Sequence, residues 1–148
     1  MKKILSLFLA FVLCFSLGAP ALAAEPETFT DGAFLYEKLN DTEVMLSGLS
    51  GAAPTSGLSI PERASDGSAV YTVTAIKKFA FFRTGVAGGL SLPGTLTRIG
   101  EYAFADCDGL TGDLILPDSV TQIEEWAFDG CAGITSVTLP ASLRSIGP

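Results

Sequence analysis

Histidine is missing from this chain altogether. Its absence removes the general base of Ser-His-Asp and Cys-His catalysis, and with it the commonest protein ligand of zinc. Positive charge is scarce too: nine Lys and Arg stand against sixteen Asp and Glu. Nucleic acids and anionic lipid surfaces are gripped by clustered positive charge that releases counterions, so neither is an expected partner. Cysteine is nearly absent, with Cys14 inside an apolar N-terminal run and only Cys107 and Cys131 beyond it.

That N-terminal run reads as a targeting segment. Lys2 and Lys3 make a basic start, Ile4 to Leu17 is almost wholly apolar, and Ala21-Leu22-Ala23 supplies the small residues a signal peptidase reads. The pattern predicts a signal peptide over residues 1–23, cleaved after Ala23, and so a secreted or cell-surface protein. The apolar run is shorter than the ~20 residues that span a bilayer, and Gly18 and Pro20 break it, so no membrane insertion is expected after cleavage. Leu13 precedes Cys14 where lipid attachment wants a small residue, which argues against a lipoprotein. Loss of Lys2 and Lys3 moves the formal charge from -7 to -9 and leaves a chain sized for one domain.

The rest of the chain says the same thing more than once. LPGTLTRIGEYAFADCDGLTGDLI (Leu92 to Ile115) is followed by LPDSVTQIEEWAFDGCAGITSVT (Leu116 to Thr138), and LPASLRSIGP begins another copy. Such a period means a solenoid, because one repeat cannot bury its apolar side without a neighbour. One column is Ile76, Ile99, Ile123 and Ile146; another is Phe79, Tyr102 and Trp126, each followed by Ala and then by Phe81, Phe104 or Phe128. Small then large, in register, is the pattern of a packed interior, alanine leaving room where the chain turns and phenylalanine filling the layer between repeats. Leu90 and Leu92, Leu114 and Leu116, and Val137 and Leu139 are alternating pairs expected to point inward from short strands that stop at proline.

Upstream, residues 24–33 read as a flexible leader, and residues 34–57 as a capping hairpin and loop that shields the first repeat. The repeats occupy residues 58–148, as 58–91, 92–115, 116–138 and a partial 139–148. The first carries an inserted turn at Asp66-Gly67.

The arrangement LP-x-x-[LV]-T-x-I-x-x-[YW]-AF-x-x-C-x-x-[LI] resembles the BspA-like, or type 5, leucine-rich repeats of bacterial surface proteins. The resemblance covers about Leu58 to Gly147 and rests most on the doubled AF-x-x-C at Ala103 to Cys107 and Ala127 to Cys131; Thr84 stands where those cysteines recur. It implies a mainly β leucine-rich-repeat solenoid of short stacked strands with turns and short helical segments, closed by an N-terminal β-hairpin cap. It also implies a protein- or glycan-binding adhesion or recognition module with no catalytic residues, the alternative being a structural spacer of a larger surface protein.

Motifs with possible chemistry are few. Asp106, Asp108, Gly109 and Asp113 resemble the opening of a calcium loop, but the later ligands are missing at the required spacing, so no metal or cofactor is expected. Glu124-Glu125 is an adjacent pair rather than two carboxylates facing across a cleft. Cys107 and Cys131, one repeat apart, fit either buried thiols or a disulfide. The candidate partner-binding row is Ser59, Ser91, Ile115 and Thr138, the outward neighbours of the inward strand residues. Apolar residues at Leu143 and Ile146, with no AF-x-x-C half after them, lead us to expect self-association through an uncapped C-terminal end.

Overall fold

The computed structural model describes residues 25–148. The signal peptide expected at residues 1–23 lies outside the described residues. Fourteen strands follow in chain order. The first three are β1 (Thr28–Asp31), β2 (Phe34–Lys38) and β3 (Glu43–Leu49). Next come β4 (Leu58–Ser59), β5 (Arg63–Ser65), β6 (Val70–Ile76), β7 (Ala87–Gly88) and β8 (Leu90–Ser91). The chain continues through β9 (Arg98–Ile99), β10 (Gly109–Leu110) and β11 (Gly112–Ile115). It finishes with β12 (Gln122–Ile123), β13 (Ile134–Thr138) and β14 (Ser145–Ile146).

The main sheet runs β1-β2-β3-β6-β9-β12-β14, with β5 paired to β6. Its first three strands are antiparallel, whereas β3, β6, β9, β12 and β14 are all parallel, as successive coils of a solenoid must be. The isoleucines fall in one ladder: Ile76 pairs with Ile99, Ile99 with Ile123, and Ile123 with Ile146. Hydroxyls add a second tie between coils. Thr95 Oγ1 donates to the Val73 carbonyl at 2.7 Å, Ser119 Oγ to Leu96 at 2.6 Å and Ser142 Oγ to Val120 at 2.8 Å.

Among the described residues there is no helix. The stretches expected as short helical segments are turns, and the reason lies in where alternate N–H groups go. Phe79, Phe81 and Arg83 donate to the carbonyls of Glu101, Ala103 and Ala105 in the next coil, while Ala80, Phe82 and Thr84 donate three residues back. Half the donors an α-helix would use are committed between coils. Left-handed backbone at Phe79 (φ 60) and Arg83 (φ 54) also breaks the helical run. Tyr102, Phe104 and Asp106 repeat the pattern onto Glu125, Ala127 and Asp129.

The N-terminal end is closed by the β1–β3 meander. Residues 24–33 are therefore not wholly a flexible leader: Thr28–Asp31 forms an edge strand, because Phe29 stacks on Tyr36 at 5.4 Å and lies 5.5 Å from Tyr71. Lys38 clamps the cap to the inserted turn. Its Nζ lies 3.1 Å from Glu27 and 3.0 Å from Asp66, with the Tyr71 ring beneath it, and the Tyr71 hydroxyl donates to Asp66 at 2.9 Å. Hydrogen bonds from Ser68, then Lys38 and the backbone of Ala69, hold the Asp66 carboxyl far below its ordinary range.

Candidate functional site

The four outward strand residues are all exposed. Ser59 pairs with Ser91 across β4 and β8, and Ile115 with Thr138 across β11 and β13. They fall on two short ladders, since β8 and β11 lie side by side but share no pairing. The β11–β13 pairing is itself irregular: Leu110 and Leu116 are six residues apart, whereas Ile134 and Leu139 are five apart, and the register shifts between Gly112 and Asp113. Gly88 and Gly112 sit at equivalent points, both at φ 85, and a Cβ on Gly88 would lie 2.6 Å from the Gly57 nitrogen. Only glycine fits that approach.

Where the two ladders part, a shallow groove of about 540 Å³ runs past Ser59, Gly89, Ser91, Thr111 and Asp113. A second of about 360 Å³ continues over Ser91, Gly94, Asp113 and Ile115. Ile115 is 64% exposed and is the one large side chain of the row. The Asp113 carboxylate is held by Ser136 Oγ at 2.6 Å and Thr135 Oγ1 at 3.2 Å through the same oxygen. Of the inward partners, Leu114 and Leu116 are buried while Val137 and Leu139 are exposed, because no further coil covers them among the described residues.

A second exposed surface was hidden by its own regularity. Phe79, Tyr102 and Trp126, the column ahead of each Ala-Phe pair, lie on the outer side, with Phe79 47% and Trp126 43% exposed and Tyr102 partly so. Phe81 and Phe104, two residues on, are the buried rings. The φ of 52 to 60 at Phe79, Tyr102 and Trp126 swings these side chains away from the core, so one motif builds two stacks. The inner stack spaces Phe81, Phe104 and Phe128 at 4.9 and 5.1 Å; the outer spaces Phe79, Tyr102 and Trp126 at 5.2 and 6.5 Å. Tyr102 is stacked between the other two outer rings, which are the more exposed. Three non-glycine residues at positive φ in register would have been the signal, and side-chain periodicity does not carry backbone sign.

The remaining candidates are placed apart. Asp106 pairs with Arg83 Nε at 2.7 Å, well separated in role from Asp113 on the strand face. Glu124 accepts from the Glu101 N–H at 3.1 Å and lies 3.2 Å from Arg98 Nη1. Cys107 and Cys131 are free thiols. Each donates to a carbonyl one coil back, Cys107 to Phe81 at 3.0 Å and Cys131 to Phe104 at 3.1 Å. Burial, and then the neighbouring Cys131, push the Cys107 thiol up to about 11.

Parallel coils stacked through an isoleucine ladder, a double aromatic stack and proline-stopped strands define a leucine-rich-repeat solenoid. The family model for the BspA type leucine rich repeat region, six copies long, matches residues 72–148, more than half of the chain. The chain belongs to that family. A leucine-rich repeat protein from Bacteroides capillosus is 31% identical with a TM-score of 0.73, over 80% of this chain and 86% of that one. One from Bacteroides ovatus, also 31% identical with a TM-score of 0.73, is matched over 80% of this chain but 31% of its own. A leucine-rich cell surface protein from Faecalibacterium prausnitzii shares the fold alone, at 20% identity and a TM-score of 0.54, over 80% of this chain and 44% of that one. No curated protein matches the sequence.

Proposed function

We propose that the protein is exported to the cell surface or beyond and acts as a binding module. It takes a protein or glycan ligand on the strand face of β4, β8, β11 and β13 and performs no catalytic step. The observation that carries this reading is that Ser59, Ser91, Ile115 and Thr138 are all exposed, the first three of them lining the two shallow grooves of that face. Stacked-repeat proteins build extended binding surfaces on such faces and gain strength by repetition. Kinship with leucine-rich repeat proteins, one of them described as a cell surface protein, supports the location.

The test is Ile115→Arg against a panel of host matrix proteins and surface glycans. Binding by the wild type should weaken in the variant, while stability stays within about 0.5 kcal/mol because the site is exposed. Binding that survives this change but fails on altering Lys77, Lys78 or Glu124 moves recognition to the turn edge. If neither change matters, the chain is a spacer that displays or stiffens something else.

A further inference from the structure

We propose that the strand face selects an extended, basic segment of a protein partner, with the Asp113 carboxylate meeting a Lys or Arg and Ile115 meeting an apolar neighbour. The inference rests on the strand-face reading above and names the chemistry of its partner.

Charge segregation is the first argument. The strands and turns at 54–61, 87–95, 109–119 and 132–142 contain Asp113 and Asp118 but no Lys or Arg. Glu62 adds a third carboxylate, since its Oε1 lies 3.3 Å from where a Cβ on Gly94 would stand, at the edge of the second groove. All the ion pairs of the described residues are found elsewhere, on Glu27, Glu37, Asp66, Asp106 and Glu124. Lys38, Lys77, Arg83 and Arg98 each sit against an Asp or Glu, and Asp113 joins none of those ion pairs. An oriented carboxylate beside an exposed isoleucine, with no cation of its own, suits a cation brought by the partner.

The break between β8 and β11 is the second argument, and it favours a polypeptide over a sugar. Thr111 N–H still reaches the Gly88 carbonyl at 3.0 Å, after which no ladder joins the two strands. Peptide groups on the facing strand edges are thus left beside the groove without ladder partners. Extended chains are recognised by such groups, with alternate side chains supplying specificity. The floor between them is built of glycine and hydroxyl-bearing residues, so the partner must provide the bulk.

The test is an amide NMR titration of the folded chain with a short capped peptide alternating lysine and valine. Matched peptides with glutamate or serine in place of lysine, and a neutral oligosaccharide, serve as the other probes. The lysine peptide should shift the amides of Ser59, Ser91, Asp113 and Ile115. Asp113→Asn keeps the oxygen that accepts from Ser136 and removes only the charge, and it should weaken that peptide about two- to fivefold at low salt. The gap should close at high salt. Equal binding of the glutamate peptide, an unchanged affinity in Asp113→Asn, or preference for the oligosaccharide overturns the basic-segment inference; if the shifts still map to these amides, the strand-face reading stands. Shifts confined to Phe79, Tyr102 and Trp126, or no shift with any probe, overturn both.

Discussion

The two ends of this solenoid are made of the same columns and meet opposite fates. Along the main sheet, relative exposure runs from 0% at Leu46, Ile76 and Ile99 to 4% at Ile123 and 58% at Ile146. Phe81 and Phe104 are buried, while Phe128 is only partly covered. Nothing in the residue types distinguishes the members of a column. What differs is the neighbour: the antiparallel cap buries one end under Tyr36, Val44 and Leu46, whereas Ile146, Val137 and Leu139 lie open at the other. Burial in this fold is a property of the interface between coils, so stability should be cooperative along the array and weakest at the C-terminal face.

The sharpest way to break that comparison is to remove the same ring at two depths. Phe104 lies between Phe81 and Phe128, stacked on both. Phe104→Ala should cost ~3–5 kcal/mol and lower the denaturant midpoint for neighbouring coils together. Phe128→Ala, with one face uncovered, should cost less than ~2 kcal/mol. Equal losses at the two positions would mean that the stack is not what couples the coils.

The open face yields the next largest effect. Ile123, Phe128, Cys131, Ile134 and Ile146 line an apolar hollow of about 350 Å³ there. We propose that chains of these 148 residues associate through it. The cap covers the opposite end, so pairing is face to face about a two-fold axis rather than head to tail. Sedimentation should show concentration-dependent dimers that Ile146→Lys abolishes; a strictly monomeric wild type at high concentration would rule the pairing out.

How much of this was legible in the sequence depends on what each residue's neighbours report. Ile76, Ile99, Ile123 and Ile146 recur at the repeat period, and one periodic ladder is what the structure contains. The buried partners of the AF motif followed from the same logic. Phe79, Tyr102 and Trp126 recur just as faithfully, yet periodicity says only that they share an environment, and the sign of φ decides which side of the wall that is. The strand at Thr28–Asp31 escaped notice because its polar residues have no pattern of their own; Phe29 is ordered by Tyr36 and Tyr71 from distant segments. In the candidate row each exposed residue was legible from alternation. The break between β8 and β11 was not, because side-chain alternation within a strand carries no information on which neighbouring strands share a hydrogen-bond ladder.

The thiols sharpen the comparison of ends by about an order of magnitude in rate. Cys107 is fully buried between coils and Cys131 is partly open at the bare face. In the folded protein, Cys131 should alkylate about tenfold faster than Cys107, and both should react after denaturation without reductant. Only two unreactive thiols after that treatment would reinstate a bridge. Burial also sets a pH dependence. Above about 9 the unfolded chain loses its thiol protons, whereas folded Cys107 keeps its proton to about 11. The unfolded state then binds fewer protons, so stability should fall as pH rises through that window.

The smallest effect separates the backbone from the ring at Tyr102, midway between the ends. Its φ of 52 is glycine's territory, yet the side chain is a stacked aromatic. Tyr102→Ala loses the ring and keeps the left-handed strain, while Tyr102→Gly loses the ring and relieves it. The glycine variant should therefore be the more stable by about 0.5–1 kcal/mol, after allowing for the extra freedom glycine gives the unfolded chain. Ordinary helix or strand positions rank these two residues the other way. A denaturation series in which alanine wins would mean that the turn relaxes to negative φ once the ring is gone. The outer stack, rather than the hydrogen bond from Tyr102 N–H to the Glu125 carbonyl at 3.1 Å, would then be what holds the backbone there.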